Sequence, residues 1–124
     1  YKLRLANQRH LEIFSRHLPE VTPTQFSILV RRCEVGEVSQ NQLGRLVAMD
    51  AATTKGVITR LIDRRLVQSR QDGKDMRRLQ ISLTHKGYGL VRVAIEKARA
   101  ITEETTARLT PREVSRLMTL LDKL

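Results

Sequence analysis

Apolar residues recur at helical spacing over most of the chain. Leu3, Asn7, Leu11, Phe14 and Leu18 fall on one side of a helix predicted over Leu3 to Leu18. Pro19 ends it, because proline disfavours helical geometry in the residue before it. Thr22-Pro23-Thr24-Gln25 then combines an N-cap threonine, a proline at the first helical position and a glutamine three residues after the cap. The helix it opens carries Phe26, Leu29, Val30 and Cys33 on its apolar face and stops near Gly36. Ser39-Gln40-Asn41-Gln42 is a second capping box, opening a short helix with Leu43, Leu46 and Val47 inward. Asp50 caps a helix running to about Arg64, apolar at Val57, Ile58, Leu61 and Ile62. Its opposite side carries Ala52, Thr53, Gly56, Thr59, Arg60 and Asp63. Thr110-Pro111-Arg112-Glu113 opens the last helix, followed by Val114, Leu117, Leu120, Leu121 and Leu124.

Between these helices the period drops to two. Leu66 to Arg70 and Leu79 to Leu83 read as strands, with Leu79, Ile81 and Leu83 alternating against Gln80 and Ser82. Asp72-Gly73 supplies the turn, and the tip carries Lys74, Arg77 and Arg78. Thr84 caps a long helix bearing Tyr88, Val91, Ile95, Ala98 and Ile101. The predicted fold is mainly α with one small β-hairpin, a winged helix-turn-helix in a single domain of residues 1–124. Residues 22–84 form the winged part, and residues 1–18 and 85–124 the flanking dimerisation helices.

A short helix, a tight turn and a second helix make the unit whose second helix enters a DNA major groove. Small residues at Ala51 and Ala52 allow close approach there, while Thr53, Thr54 and Lys55 offer polar groups and a methyl contact to base edges. Thr59 and Arg60 stand on the same side. First-turn amides at Ser39, Gln40 and Asn41 suit a phosphate. The basic hairpin, with Lys74, Arg77 and Arg78, suits the neighbouring minor groove.

Charge supports a polyanionic partner. The chain of 124 residues has 23 basic and 13 acidic side chains, a net charge of +10. Lys55 to Arg78 holds eight basic residues against three acidic ones, half of that +10 in about a fifth of the chain. Two Phe, two Tyr and no Trp leave few stacking platforms for single-stranded nucleic acid. No run approaches the ~18 apolar residues of a membrane span, so a soluble protein without membrane contact is expected. No signal-peptide pattern opens the chain, although Tyr1 begins inside a helical pattern and leaves open a leader or arm before it.

Cys33 is the single cysteine, which suits a reducing cytoplasm. Its place on an apolar face predicts a buried thiol, the alternative being an oxidant-sensing switch. An enzyme is not expected: there is no glycine-rich phosphate loop and no Ser/His/Asp cluster to bring together. The histidines, at positions 10, 17 and 85, lack metal-ligand spacing, so neither metal nor cofactor is expected.

The apolar faces of the first and last helices are longer than a small winged module can cover, which predicts a homodimer. A two-fold dimer reads a palindromic operator with half-sites about one DNA turn apart. Asn7, His10 and His17 share a side with Leu3 and Phe14, and polar groups there need partners. A bound carboxylate is one candidate; backbone or the second subunit is the other. From a different class, a winged helix used only for protein contacts would show no salt-dependent binding to duplex DNA.

Asp75-Met76-Arg77-Arg78-Leu79-Gln80-Ile81-Ser82-Leu83-Thr84-His85-Lys86-Gly87 resembles the DxRxxxLxLTxxG wing signature of the multiple antibiotic resistance regulators, the MarR family. Leu46-Val47 through Asp50, then Thr53, Arg60-Leu61 and Leu66-Val67, resembles that family's recognition-helix segment. The resemblance implies a dimer of interlocked terminal helices, Arg77 in the minor groove, and Asp75 bracing the wing through salt bridges. It also implies repression relieved by a small phenolic or aromatic-carboxylate effector. Leu3 to His17 resembles the nicotinate-degradation repressors within the family, which implies a hydroxylated nicotinate as inducer. The family usually has glycine where this chain has Arg65, so the helix ends differently, Arg65 carries a backbone cost of ~1 kcal/mol, or its side chain adds a phosphate contact.

Overall fold

The helix starts form where local side-chain chemistry places them. In the computed structural model, which describes residues 1–124, Thr22, Ser39 and Thr110 each make both hydrogen bonds of a capping box, and Asp50 accepts from the Thr53 amide. These caps open α2 (Pro23–Val35), α3 (Gln40–Leu46), α6 (Pro111–Leu121) and α4 (Ala51–Asp63). The remaining helices are α1 (Lys2–His17) and α5 (His85–Thr105), and the strands are β1 (Val38–Ser39), β2 (Val67–Gln71) and β3 (Leu79–Leu83). The predicted hairpin is thus part of a three-stranded antiparallel sheet, ordered β1-β3-β2. Its register pairs Val38 with Ile81 and Val67 with Leu83. β1 was not expected, because two residues carry no alternation of their own and pair with positions some forty residues away.

Two compact units divide the chain: Glu20–Ile95, and Tyr1–Pro19 together with Glu96–Leu124. In the first, Ile28, Leu43, Ile58, Leu61, Leu66 and Ile81 are fully buried. The buried stripe of α2 is Gln25, Ile28, Leu29 and Arg32, one position round from the predicted face. Cys33 is consequently exposed, which corrects the expectation of a buried thiol. Gln25 and Arg32 are buried with partners: Gln25 Oε1 accepts from Arg64 Nη1 at 3.2 Å, and Arg32 Nε donates to the Ile81 carbonyl.

Both helices of the helix-turn-helix end in the same way. At α3, the Met49 amide donates to Gly44 O at 3.0 Å and the Ala48 amide to Arg45 O at 3.2 Å. At α4, the Leu66 amide donates to Leu61 O at 2.9 Å and the Arg65 amide to Ile62 O at 2.8 Å. These are Schellman caps, whose C′ residue lies in the left-handed region, and here Ala48 and Arg65 hold φ of 54° and 59°. Of the three alternatives at Arg65, the backbone cost is therefore present, and the helix end is the one glycine would make.

Thr84 joins the hairpin to α5. Its Oγ1 donates to Arg65 O at 2.6 Å and accepts from the Gly87 amide at 3.0 Å. A Cβ on Gly87 would stand 2.0 Å from Leu66 O, so this turn of helix can lie against the Leu66 carbonyl, just before β2, only as glycine.

In the second unit, Ile13, Phe14, Leu18 and Ile101 are buried, while Leu3, Leu11 and α6 residues Leu117, Met118, Leu120 and Leu121 are exposed. α1 and α5 are tied by side chains. Glu104 accepts from Arg16 and pairs with His17, both at 2.6 Å, and His10 Nδ1 lies 2.9 Å from Thr105 Oγ1. The Glu104 carboxyl is held at about 2, chiefly by the Arg16 hydrogen bond and then by His17.

Candidate nucleic-acid interface

Asp50 sets the start of the outward helix. Its Oδ1 accepts from the Thr53 amide and its Oδ2 from the Thr53 hydroxyl, each at 2.8 Å. These bonds hold its carboxyl below the usual carboxylate range, so the cap stays ionised at neutral pH. Ala51, Ala52, Thr53, Lys55, Thr59 and Arg60 all face solvent along α4. Thr53 and Thr59 spend their hydroxyl protons on Asp50 and on the Lys55 carbonyl, leaving methyl groups and lone pairs outward.

Thr54 departs from expectation. It is 1% exposed, donates to Asp50 O at 2.8 Å, and packs where a Cβ on Gly44 would come within 2.7 Å of its Oγ1. Thr54 thus fastens α4 to α3 and is removed from the outward surface. Ser39 is similarly occupied: it is buried and its Oγ accepts from the Gln42 amide at 3.3 Å. Its own amide donates to Gln42 Oε1, so Gln40 and Asn41 are the first-turn amides that neither capping bond uses.

The wing tip is a loop of two Asx turns. Lys74 N donates to Asp72 Oδ1 at 2.8 Å and Arg77 N to Asp75 Oδ1 at 3.0 Å. The Asp72 amide closes the loop on Arg78 O at 2.9 Å. Asp75 was expected to brace the wing by salt bridges. Its one ion pair, to Arg77 Nε, is 4.0 Å long on a side chain 96% exposed, so the main-chain hydrogen bonds carry the bracing.

Between α3 and the wing lies an open cleft of about 320 Å³, lined by Ser39, Gln40, Asn41, Arg45, Arg77, Arg78 and Leu79. A second, of about 220 Å³, runs between α3 and α4 past Gln40, Asn41, Gly44, Arg45, Met49, Ala51 and Thr54. No acidic side chain lines either one. Arg45 borders both and was missed in the sequence, although its place four residues after Asn41 puts it on the same helix side. The structure therefore brings Gln40, Asn41, Arg45 and the wing arginines to one cleft. Asn7, His10 and His17 belong to the other unit: Asn7 is exposed, and the two histidines are half-buried against α5.

An outward helix beside a basic, stiffened hairpin is the surface of a DNA-binding protein of the winged helix-turn-helix class. The profile described as "MarR family" matches residues 20–78. The HTH-type transcriptional repressor NicR of Pseudomonas putida is 36% identical over 124 residues, covering 98% of this chain and 78% of that protein. A probable transcriptional regulator from Pseudomonas aeruginosa superposes with a TM-score of 0.92 at 44% identity, covering 98% and 92% of the two chains. Bordetella bronchiseptica BpsR, solved to show regulation of its DNA binding by 6-hydroxynicotinic acid, gives 0.92 at 36% identity over 98% and 88%. The chain belongs to the MarR family of transcriptional regulators.

Proposed function

We propose that this chain is a homodimeric repressor that binds a palindromic operator and is released by a small aromatic carboxylate or phenol. A hydroxylated nicotinate is the first candidate effector. The observation that carries the DNA reading is the continuity of α4's solvent face, the acid-free clefts beside α3, and the basic wing. In this reading Ala52, Thr53, Lys55, Thr59 and Arg60 meet the major groove and Arg77 the minor groove. Gln40, Asn41, Lys74 and Arg78 meet phosphates.

The dimer reading rests on α6, which is strongly amphipathic yet buries none of its residues in the single chain. The effector reading rests on Arg16 and His17, which already hold a carboxylate, that of Glu104. An aromatic acid brings the same group, and His10 and Asn7 stand about two and three turns before His17 on α1. The regulation of BpsR by 6-hydroxynicotinic acid supports this choice of effector.

The test is selection from a random duplex pool, followed by anisotropy titration of the recovered site at several salt concentrations. A palindrome bound with a steep salt slope is expected; no enriched sequence would favour a protein-interaction module. Adding 6-hydroxynicotinic acid should then release the DNA, and His10→Ala should blunt that release. Failure of every aromatic acid tried would sink the effector reading. The exposed thiol of Cys33 keeps an oxidant-sensing reading in play; it requires peroxide to release the operator from the wild type and not from Cys33→Ser.

A further inference from the structure

The Gln80 side chain is half used. Its Nε2 donates to Asp72 Oδ2 at 2.8 Å, whereas its Oε1 is buried and accepts no hydrogen bond. Burying an amide with one end unsatisfied costs stability, so an apolar side chain of similar length would serve the sheet at least as well. What the amide achieves is a tie between β3 and the first residue of the wing loop. Asp72 is a junction: besides Gln80, its carboxylate accepts from Lys74 N, and its amide closes the loop on Arg78 O. The Lys74 and Gln80 hydrogen bonds keep that carboxyl below its ordinary range, and Arg78 is the charged group whose field reaches it. At the other end of the loop, Arg77 N and Arg78 N both donate to Asp75. Met76 and Arg77 are thereby presented from a backbone held on both sides, with Met76 71% exposed.

We propose that Asp72 and Gln80 are positioning residues for DNA binding, a strut that fixes the wing loop so that Arg77 and Arg78 are ordered before the duplex arrives. The proposal rests on the reading of the wing as a DNA contact. A preformed loop loses less conformational freedom on association than a mobile one, so the strut acts on affinity. The β2–β3 ladder, paired from Val67–Leu83 to Gln71–Leu79, does not depend on it, so the strut is separable from the fold.

Three variants test this against the operator recovered by selection. Gln80→Leu removes the tie without adding charge, and is expected to weaken operator binding roughly tenfold with an unlowered thermal midpoint. Gln80→Glu sets carboxylate against carboxylate, so binding should be weak at pH 7.5 and recover as falling pH lets the pair share a proton. Combining Asp72→Asn with Gln80→Glu reverses the direction of the bond at unchanged net charge; the new amide at position 72 donates to the new carboxylate at position 80. That double variant should bind within about twofold of wild type and lose the pH dependence. A Gln80→Leu protein that binds like wild type, or a double variant as weak as Gln80→Glu alone, would overturn the strut and leave DNA binding intact. A wild-type protein without salt-dependent duplex binding would remove the DNA reading, and the strut with it.

Discussion

Replacing Arg65 by glycine should make this protein more stable. Arg65 is the C′ residue of the Schellman cap that ends α4, with φ of 59° and the hydrogen bonds from Arg65 N and Leu66 N already formed. An L-residue in that region carries roughly 1–2 kcal/mol of steric cost that glycine does not. Glycine also gives the unfolded chain more freedom, which takes back roughly 0.4–1 kcal/mol. The exposed Arg65 side chain makes no hydrogen bond or ion pair that the change would lose, and the bond from Thr84 is to the carbonyl, which remains. The net expectation is a gain of about 0.5–1 kcal/mol, or roughly 2–4 °C in thermal midpoint for a chain of this size. Thermal unfolding at one protein concentration measures it, since assembly into the proposed dimer would make the midpoint concentration-dependent. Arg65→Ala is the control: it removes the guanidinium, keeps the Cβ, and should leave the midpoint unchanged. If the arginine is retained for a phosphate contact, both variants should bind duplex less tightly, with the salt slope reduced by about one. A midpoint for Arg65→Gly at or below wild type would refute the reasoning about the cap.

Gly87→Ala should have the opposite sign and a larger size. Its Cβ would stand 2.0 Å from the Leu66 carbonyl oxygen, so a loss of about 3 kcal/mol or failure to fold is expected, and a midpoint within about 2 °C of wild type would contradict the packing. Glu104 titrates at about 2 instead of its ordinary 4.5, so its ion pairs stabilise the folded state above pH 4.5 and that contribution is lost as pH falls toward 2. The midpoint difference between wild type and Glu104→Gln should accordingly be present at pH 6 and shrink on acidification; a constant difference would mean the Arg16 and His17 contacts add nothing electrostatic. Arg77→Ala should weaken operator binding, while Thr53 substitutions should change which sequences are recovered in selection. Unchanged behaviour in both would defeat the placement of α4 and the wing.

The helix starts were legible because capping is local. Thr22 with Gln25, Ser39 with Gln42 and Thr110 with Glu113 make their bonds across three residues, and no later packing is needed to choose them. The hairpin was legible for the same reason, from alternation at Leu79, Ile81 and Leu83 and a turn at Asp72-Gly73. The buried face of α2 was not. Gln25 and Arg32 lie outside the predicted apolar face, and their burial depends on Arg64 and the Ile81 carbonyl being brought beside them. With that stripe inward, Cys33 turns out to solvent. Thr54 read as a base contact from its place near the start of α4, yet its side chain packs against Gly44 across the turn and is buried there.

The order of the helices and of the hairpin, the charge of the wing and the position of every capped helix were determined by the amino-acid sequence alone, since each depends on residues a few places apart. Tertiary structure decided β1, the burial of Gln25, Arg32 and Thr54, and the gathering of Arg45 with Arg77 and Arg78 at one cleft. These depend on residues separated by ten to fifty positions meeting in space, and hydrophobic periodicity carries no information about which distant neighbour a side chain will meet.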